Sequence, residues 1–208
     1  MPLHFLVLGG TGTLFTHKAL VEGHRLTLYA RNPSKLSDSL RAQEKLDVIE
    51  GELSDMVALE TAAKCGADAF ISCAGPLSGS QGTVPYHRLL RQAVAVIGFQ
   101  WSSSGDHALY TFIQPTRRFF LSIMVIWEEF NEMVSVGELV TLRSPADMTW
   151  TSFRVGGLTD GAEKDTTATM LGSGKDNVTI SRESVAAWLL KEIKDSQWKL
   201  KAPYICNT

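Results

Sequence analysis

The chain has 208 residues, with 20 lysines and arginines against 22 aspartates and glutamates, so its formal net charge is −2 and its pI is about 6.2. The sequence therefore has no excess of positive charge, which argues against nucleic acid and anionic membranes as partners. The length fits one domain, or one domain with a small appended lobe.

The three cysteines, Cys65, Cys73 and Cys206, are odd in number, widely spaced and not grouped as metal ligands. We therefore expect reduced thiols, a cytoplasmic location and no metal site. The first apolar strand begins almost at the N-terminus, so neither a signal peptide nor a transit peptide is expected. The longest apolar run, residues 119–127, is about half as long as a membrane-spanning helix and predicts a buried helix or a flap over a ligand.

The first predicted strand, residues 3–8, runs directly into the turn Gly9-Gly10-Thr11-Gly12 and then into a helix predicted over residues 16–22. A strand, closely spaced glycines and a helix form the opening of a dinucleotide-binding βαβ unit. Gly9 permits a tight turn and Gly12 lets the backbone approach a pyrophosphate. The N-terminus of the following helix offers unpaired N–H groups and a positive dipole end to that anion.

Phe15 occupies the last position of this motif, where a third glycine normally lets the helix pack closely on the strand. Its ring can project either toward the path of the pyrophosphate or into the interface between the first helix and the sheet. The position in the motif favours the first, and the apolar neighbours Leu14 and Leu20 favour the second. We expect the first arrangement, which would crowd the phosphates and put dinucleotide binding itself in question.

Strands and helices alternate through the rest of the N-terminal half. Strands are predicted at Arg25–Ala30, Leu46–Glu50, 69–73 and 99–103, and helices at 33–41, Met56–Ala63 and 85–95. This alternation predicts an α/β fold, a Rossmann-like doubly wound parallel sheet with helices on both faces. The ligand crevice is then expected at the C-terminal ends of the strands.

The pattern changes in the C-terminal half. Residues 115–143 predict two apolar and aromatic helices, 150–154 a strand before a turn at Gly156-Gly157, and 160–175 a loop with a short strand. Ser181 is expected to cap a helix that runs to Ile193, with Glu183 in its first turn. No linker divides the chain. We therefore predict one domain over residues 1–208, in which residues 106–180 supply most of a small substrate-side lobe.

Arg31 ends the second predicted strand, about 20 residues after the glycine motif, where NAD-preferring folds carry an acidic residue. An arginine offers a bidentate fork to a phosphate, and Lys35 adds a second charge nearby. The alternative is a solvated basic turn. We favour phosphate binding, which predicts NADPH rather than NADH as the cofactor.

Candidate catalytic groups follow the predicted fifth strand. The hydroxyl of Ser103 is expected at the strand end, where it can hydrogen-bond a substrate carbonyl or the nicotinamide amide, or cap the next helix. His107 and Tyr110 are expected in the following loop, where either can supply a proton. Glu128 lies beside the aromatic run. Solvation of the histidine and an ordinary charged helix face for the glutamate are the alternatives.

Several segments, taken together in their order and spacing, resemble the atypical short-chain dehydrogenase/reductase superfamily, in the NmrA-like group of NAD(P)-binding domains that includes the small flavin and biliverdin-IXβ reductases. These segments are the glycine turn from Leu8, Tyr29-Ala30-Arg31-Asn32-Pro33, Glu50-Gly51-Glu52-Leu53-Ser54-Asp55, Ser72-Cys73-Ala74-Gly75-Pro76, Ser102-Ser103-Ser104-Gly105, Trp150-Thr151-Ser152-Phe153-Arg154-Val155-Gly156-Gly157-Leu158 and Ile180-Ser181-Arg182-Glu183-Ser184-Val185-Ala186. The resemblance covers nearly the whole chain. The Tyr-x-x-x-Lys pair of ordinary short-chain dehydrogenases does not occur in the sequence.

The resemblance implies a set of cofactor contacts. It implies that Thr11, Gly12, Thr13 and Leu14 line the pyrophosphate, that Arg31 holds the 2′-phosphate, that Glu52 and Leu53 flank the adenine, that Ala74, Gly75 and Pro76 pass beneath the cofactor, and that Ser103 lies near the nicotinamide. Val155 replaces the usual proline after Arg154, close to the expected nicotinamide site.

Three functions remain open at this point. The first is an NADPH-dependent reductase of a planar or aromatic small molecule, such as a secondary metabolite, a quinone or a flavin-like compound, roofed by the aromatic segment 112–130. The second is a cyclase, isomerase or dehydratase of a polyketide-like substrate, which moves protons with Glu128, His107 or Tyr110 in a crevice that has lost its cofactor. The third is a non-catalytic NADP-sensing regulator. The chain is expected to be a monomer or a homo-oligomer.

Overall fold

A computed structural model describes residues 1–9, 12–73, 107–113, 140–141, 149–170, 172–175 and 177–208. Its strands are β1 (His4–Leu8), β2 (Arg25–Ala30), β3 (Leu46–Glu50), β4 (Ala69–Ser72), β5 (His107–Ile113), β6 (Ser152–Val155), β7 (Gly157–Thr159), β8 (Thr166–Thr169), β9 (Thr179–Ser181) and β10 (Tyr204–Asn207). Its helices are α1 (Gly12–Val21), α2 (Asp38–Arg41), α3 (Met56–Ala63) and α4 (Arg182–Asp195), with a 3₁₀ turn at Pro33–Lys35.

Among the described residues, the main sheet has eight strands in the order β3-β2-β1-β4-β5-β6-β10-β8. All neighbouring pairs are parallel except β10 with β8. The chain runs outward from β1 to β3 and then returns to β4 on the other side of β1, so the strand order reverses between β1 and β4. The predicted doubly wound, Rossmann-like parallel sheet is confirmed, and its topological switch point lies at this reversal.

Both faces of β1 are buried, which explains its unbroken apolar sequence. Phe5 and Val7 belong to a cluster that includes α1 and α4, whereas Leu6 and Leu8 belong to a second cluster that includes α3. Helices therefore cover the sheet on both sides.

Helix α1 begins at Gly12, earlier than the predicted residue 16, directly after a tight turn. Gly9 has φ +101°, and the backbone N–H of Gly12 donates to the carbonyl of Gly9 at 3.0 Å. A Cβ atom on Gly12 would lie 2.5 Å from Cγ1 of Val7. Gly12 therefore allows α1 to pack closely on β1, which is the task usually given to the third glycine of the motif.

Phe15 does not project toward the pyrophosphate path, and that expectation is wrong. The residue is 1% exposed, and its ring meets the ring of Phe5 edge-on with centroids 5.5 Å apart. The reason is the early start of α1. Gly12, Phe15 and Ala19 are spaced by three and four residues, so they share the helix face that is buried against the sheet.

Several predicted boundaries are confirmed and one helix is divided. The structure has β2, β3 and α3 at the predicted residues. The helix predicted over 33–41 is instead a 3₁₀ turn and the short α2, separated by extended backbone at Leu36 with φ −76° and ψ 141°. Asn32 caps the first piece and Ser37 caps the second, so each polar residue starts its own turn.

The strand that pairs with β4 is β5, which contains His107 and Tyr110, so the prediction that these residues lie in a loop is wrong. Their backbones pair with Ala69 and Ser72 respectively. Tyr110 opens a run of aromatic and β-branched residues that favours a strand. The helix predicted over 85–95, the strand predicted over 99–103 and the apolar run 119–127 lie outside the described residues.

The C-terminal elements agree in part with the sequence. A short strand, β8, lies within 160–175 as predicted, and Ser181 caps α4 by accepting from the N–H of Ser184 at 3.1 Å, with Glu183 in the first turn. Strands β7, β9 and β10 were not predicted. In the described part of the chain no helix is long and apolar enough to cross a membrane.

Candidate functional site

The carboxyl ends of four adjacent strands meet at one edge of the sheet. Gly9 follows β1, Arg31 follows β2, Gly51 follows β3 and Cys73 follows β4. The N–H of Cys73 still donates to the carbonyl of Leu8 at 2.7 Å, so parallel pairing continues to this edge. In open α/β sheets ligands bind in the crevice outside such an edge, at the switch point. This crevice is the candidate site.

The N-terminus of α1 faces the middle of this crevice, because α1 begins immediately after β1. Its first turn contains no acidic side chain, so the positive end of the helix dipole is not neutralised by the helix's own sequence. Gly12 is buried, and Thr13 and Leu14 are half-buried. A tight turn, a closely packed glycine and an acid-free helix start fit a bound pyrophosphate.

Arg31 and Lys35 lie exposed at the end of β2 on an ordered turn. Oδ1 of Asn32 accepts hydrogen bonds from the backbone N–H of Ser34 at 3.1 Å and from its hydroxyl at 2.5 Å. Neither Arg31 nor Lys35 makes an ion pair with another residue that the structure describes. Two cations on a hydrogen-bonded turn, without carboxylate partners among those residues, fit a phosphate monoester.

The turn after β3 lies at the outer end of this carboxyl edge, and Tyr29 supports it. The buried phenol of Tyr29 donates to the backbone carbonyl of Glu52 at 2.7 Å. Burial, assisted by the nearby carboxylates of Asp55 and Glu52, raises the pKa of Tyr29 to about 12, so the phenol remains a donor at neutral pH. Asp55 caps α3 by accepting from the N–H of Ala58 at 2.9 Å.

Tyr29 was not among the site residues predicted from the sequence. The only sequence signal for it is the glycine that follows β3: a Cβ on Gly51 would collide with the phenol oxygen of Tyr29 and lie 2.9 Å from Cβ of Ala58. A glycine in this place indicates a side chain passing over the backbone, but it does not say which one.

The predicted site residues fall into three groups. The structure brings Gly9, Gly12, Thr13, Leu14, Arg31, Lys35, Glu52 and Leu53 to the carboxyl edge. Thr11, Ala74, Gly75, Pro76, Ser103 and Glu128 lie outside the described residues. His107 and Tyr110 are placed by their backbones: His107 starts β5 at the opposite edge of the sheet, whereas Tyr110 is level with the last residue of β4.

Comparison with known proteins agrees with this geometry. Residues 8–99 match a family model described as NAD(P)H-binding. A short-chain dehydrogenase/reductase from Veillonella parvula DSM 2008, solved in complex with NADP, superposes with a TM-score of 0.76 at 16% sequence identity, over 100% of this chain and 95% of that one. The chain has the NAD(P)-binding Rossmann fold. The resemblance to the atypical short-chain dehydrogenases/reductases is confirmed at the level of this fold.

Other solved structures that share the fold are named for different reactions. ChuY, an anaerobilin reductase from Escherichia coli O157:H7, has a TM-score of 0.75 at 16% identity, over 98% of this chain and 97% of that one. A putative epimerase from Bacteroides thetaiotaomicron has a TM-score of 0.73 at 16% identity, over 100% of this chain and 98% of that one. No curated protein gives a significant match to the sequence. The fold is therefore established, and the reaction has to be argued from the site.

Proposed function

We propose that the chain is an NADPH-dependent reductase of a planar or aromatic small molecule. The observation that carries this proposal is the presence, at one edge of the sheet, of an acid-free helix start over the switch point and of Arg31 at the end of the neighbouring strand. The first feature binds a pyrophosphate, and the second distinguishes a 2′-phosphate from a free ribose hydroxyl. The family match over residues 8–99 supports the same cofactor class.

The residues that would hold the cofactor follow the order of the strands. The pyrophosphate would be lined by Gly9, Thr11, Gly12, Thr13 and Leu14. Arg31 and Lys35 would hold the 2′-phosphate, and Glu52 and Leu53 would flank the adenine. For Ala74, Gly75 and Pro76, which come after β4 in the sequence, we propose contacts beneath the cofactor.

The protein's own contribution to the reaction is orientation and proton supply. When bound, NADPH supplies a hydride from its nicotinamide to an electron-poor carbon of the substrate. Four residues are candidates for the proton: Ser103, His107, Tyr110 and Glu128. Of the two whose backbones the structure describes, Tyr110 has the position that favours the role, because it is level with the end of β4, whereas His107 starts its strand at the far edge. A tyrosine or a bound water at this level serves as general acid.

Two observations support the proposed substrate class: one is the sequence from the end of β5 onward, and the other is the name of a protein that shares the fold. The sequence between residues 112 and 130 is rich in aromatic side chains, which suit a flat, apolar ligand. ChuY, one of the proteins that share the fold, is named as an anaerobilin reductase, which adds linear tetrapyrroles to the compounds worth testing.

The test is oxidation of NADPH by the purified protein without oxygen, with quinones, flavins and linear tetrapyrroles as acceptors. We expect NADPH absorbance to fall with at least one of these classes, and NADH to be oxidised more slowly at the same concentration. NADPH binding without turnover on any acceptor would support a sensing role instead. Failure to bind NADPH would favour the cyclase, isomerase or dehydratase function.

A further inference from the structure

Tyr29 connects β2 to the turn that follows β3, at the end of the crevice where the adenosine of the cofactor is expected. It lies on β2, two residues before Arg31, and its phenol reaches the turn that follows β3. We propose that Tyr29 is a positioning residue that fixes the adenine-side wall, the Gly51–Asp55 turn, relative to the 2′-phosphate anchor Arg31. This inference rests on the proposed function, because it concerns how the same site recognises the adenosine 2′-phosphate half of the cofactor.

The hydrogen bonds at this turn converge on one acceptor. The backbone carbonyl of Glu52 accepts from the Tyr29 phenol at 2.7 Å and from the N–H of Asp55 at 2.9 Å. The second bond closes the turn on itself, and the first attaches the closed turn to β2. Removal of the phenol would leave the turn folded but without the side-chain hydrogen bond that attaches it to β2, the strand that precedes Arg31.

Close packing at Gly51 provides an independent observation. A Cβ atom there would lie 2.7 Å from Cζ of Tyr29 and 2.9 Å from Cβ of Ala58, so the backbone of the turn is in direct contact with the end of the tyrosine ring. The N–H of Gly51 also donates to the carbonyl of Ala30 at 3.2 Å. The start of the turn is thus held by contact on one side and by strand pairing on the other.

The strand order explains why the distance between the Gly51–Asp55 turn and Arg31 matters for cofactor binding. The pyrophosphate is expected over β1, Arg31 follows β2, and β3 is the next strand outward and the outermost described strand on that side. An adenosine that starts at β1 and passes Arg31 therefore meets the turn after β3 next. Binding groups need to be held within fractions of an ångström by residues that are themselves packed and hydrogen-bonded, and Tyr29 is such a residue for this wall.

The experiment compares Tyr29→Phe with the wild type, because this change removes only the hydroxyl. Dissociation constants are measured for NADPH, for adenosine 2′-monophosphate and for reduced nicotinamide mononucleotide. We expect the constants for NADPH and adenosine 2′-monophosphate to rise together by about three- to tenfold, the worth of one neutral hydrogen bond. The constant for reduced nicotinamide mononucleotide should not change, because that fragment does not reach the turn.

Tyr204→Phe is the matched control. The Tyr204 phenol is also buried and also donates to a backbone carbonyl, that of Asn177, at 2.7 Å, but Tyr204 lies on β10, five strands from β2 across the sheet. We expect this variant to lose thermal stability to a similar degree as Tyr29→Phe while keeping the wild-type affinity for adenosine 2′-monophosphate. An equal loss of that affinity in both variants would overturn the positioning role.

Three outcomes separate this inference from the proposed function. If the wild type binds neither NADPH nor adenosine 2′-monophosphate, both are wrong. If the wild type binds both and Tyr29→Phe binds them equally well, the function stands and the positioning role is wrong. If Tyr29→Phe does not fold, Gly51→Ala replaces it, because its methyl group displaces the phenol from the Glu52 carbonyl; unchanged affinity for adenosine 2′-monophosphate in Gly51→Ala would then overturn the inference.

Discussion

The ring of Phe15 packs edge-on against the ring of Phe5, with centroids 5.5 Å apart and an angle of 66° between their planes. Phe15 stands where a dinucleotide-binding motif usually has its third glycine, yet the ring fills the space between α1 and β1 and lies in the core cluster. The close contact of helix and strand is made instead at Gly12, against Val7. The residue that raised doubt about the cofactor site is therefore part of the core.

Replacement of Phe15 by glycine should destabilise the fold without improving cofactor binding. The loss of a fully buried aromatic ring costs about 3 to 5 kcal/mol of unfolding free energy, and a glycine inside a helix adds about 1 kcal/mol. Urea denaturation measures the first effect and NADPH titration the second. Val21→Ala, at an exposed position of the same helix, is the control and should change stability little. Tighter NADPH binding by Phe15→Gly would contradict this assignment.

The sequence predicted those parts of the fold whose limits are marked locally. β2, β3 and α3 are bounded by turn and capping residues, and their positions are confirmed. Phe15 was misjudged because its direction depends on where α1 begins, which is a property of the glycine turn in three dimensions. The Tyr29 contact with Glu52 joins two residues 23 positions apart in the sequence, and the only sequence sign of it is a glycine. β10 was not predicted because its residues do not alternate between apolar and polar side chains.

Arg31→Ala should weaken NADPH binding selectively. The guanidinium is exposed and makes no ion pair with the described residues, so its phosphate contact is expected to contribute about 1.5 to 3 kcal/mol to NADPH affinity and little to NADH affinity. The measurement is the dissociation constant of each cofactor by nicotinamide fluorescence. Arg25→Ala is the control, since Arg25 begins β2 at the opposite end of the strand from Arg31 and forms an ion pair with Asp47. Equal losses for both cofactors in Arg31→Ala would exclude the 2′-phosphate role.

His24 should make the fold less stable in mild acid. Its ring is buried against Phe5, its Nδ1 accepts from the N–H of Leu3 at 2.9 Å, and burial lowers its pKa even though Glu22 opposes the shift. A lowered folded-state pKa means that His24 contributes stability above its unfolded pKa of about 6.5, and that this contribution is lost as the pH falls toward the folded value.

His24→Asn tests this pH dependence, because an amide oxygen can accept from Leu3 but does not titrate in this range. We expect the unfolding free energy of the wild type to fall between pH 7.5 and 5.5, and that of His24→Asn to fall less, in urea titrations at fixed ionic strength. Glu22, whose pKa is lowered by Lys194, titrates below its ordinary value near 4.5 and so leaves this interval undisturbed. Identical slopes for the two proteins would contradict the prediction.

Ser181→Ala should destabilise the C-terminal part of the fold. The buried hydroxyl accepts from the N–H of Ser184 at 3.1 Å as the cap of α4 and donates to the carbonyl of Ala162 at 2.9 Å. Loss of a helix cap costs about 0.5 to 2 kcal/mol, and we expect the upper part of that range because the Ala162 carbonyl loses its donor too. Ser37→Ala removes the cap of the exposed α2 and should cost less, as measured by thermal unfolding. A smaller loss for Ser181→Ala than for Ser37→Ala would refute this ranking.

A titration of the wild-type protein with NADPH and, separately, with NADH, followed by nicotinamide fluorescence, tests the proposed cofactor site most directly. The site at the carboxyl ends of β1 and β2 predicts saturable binding of NADPH with a dissociation constant about tenfold or more below that of NADH, as expected from an added charged hydrogen bond at Arg31. Adenosine 2′-monophosphate should displace the bound NADPH. Absence of saturable NADPH binding, or equal affinity for the two cofactors, would contradict an NADPH site at this edge of the sheet.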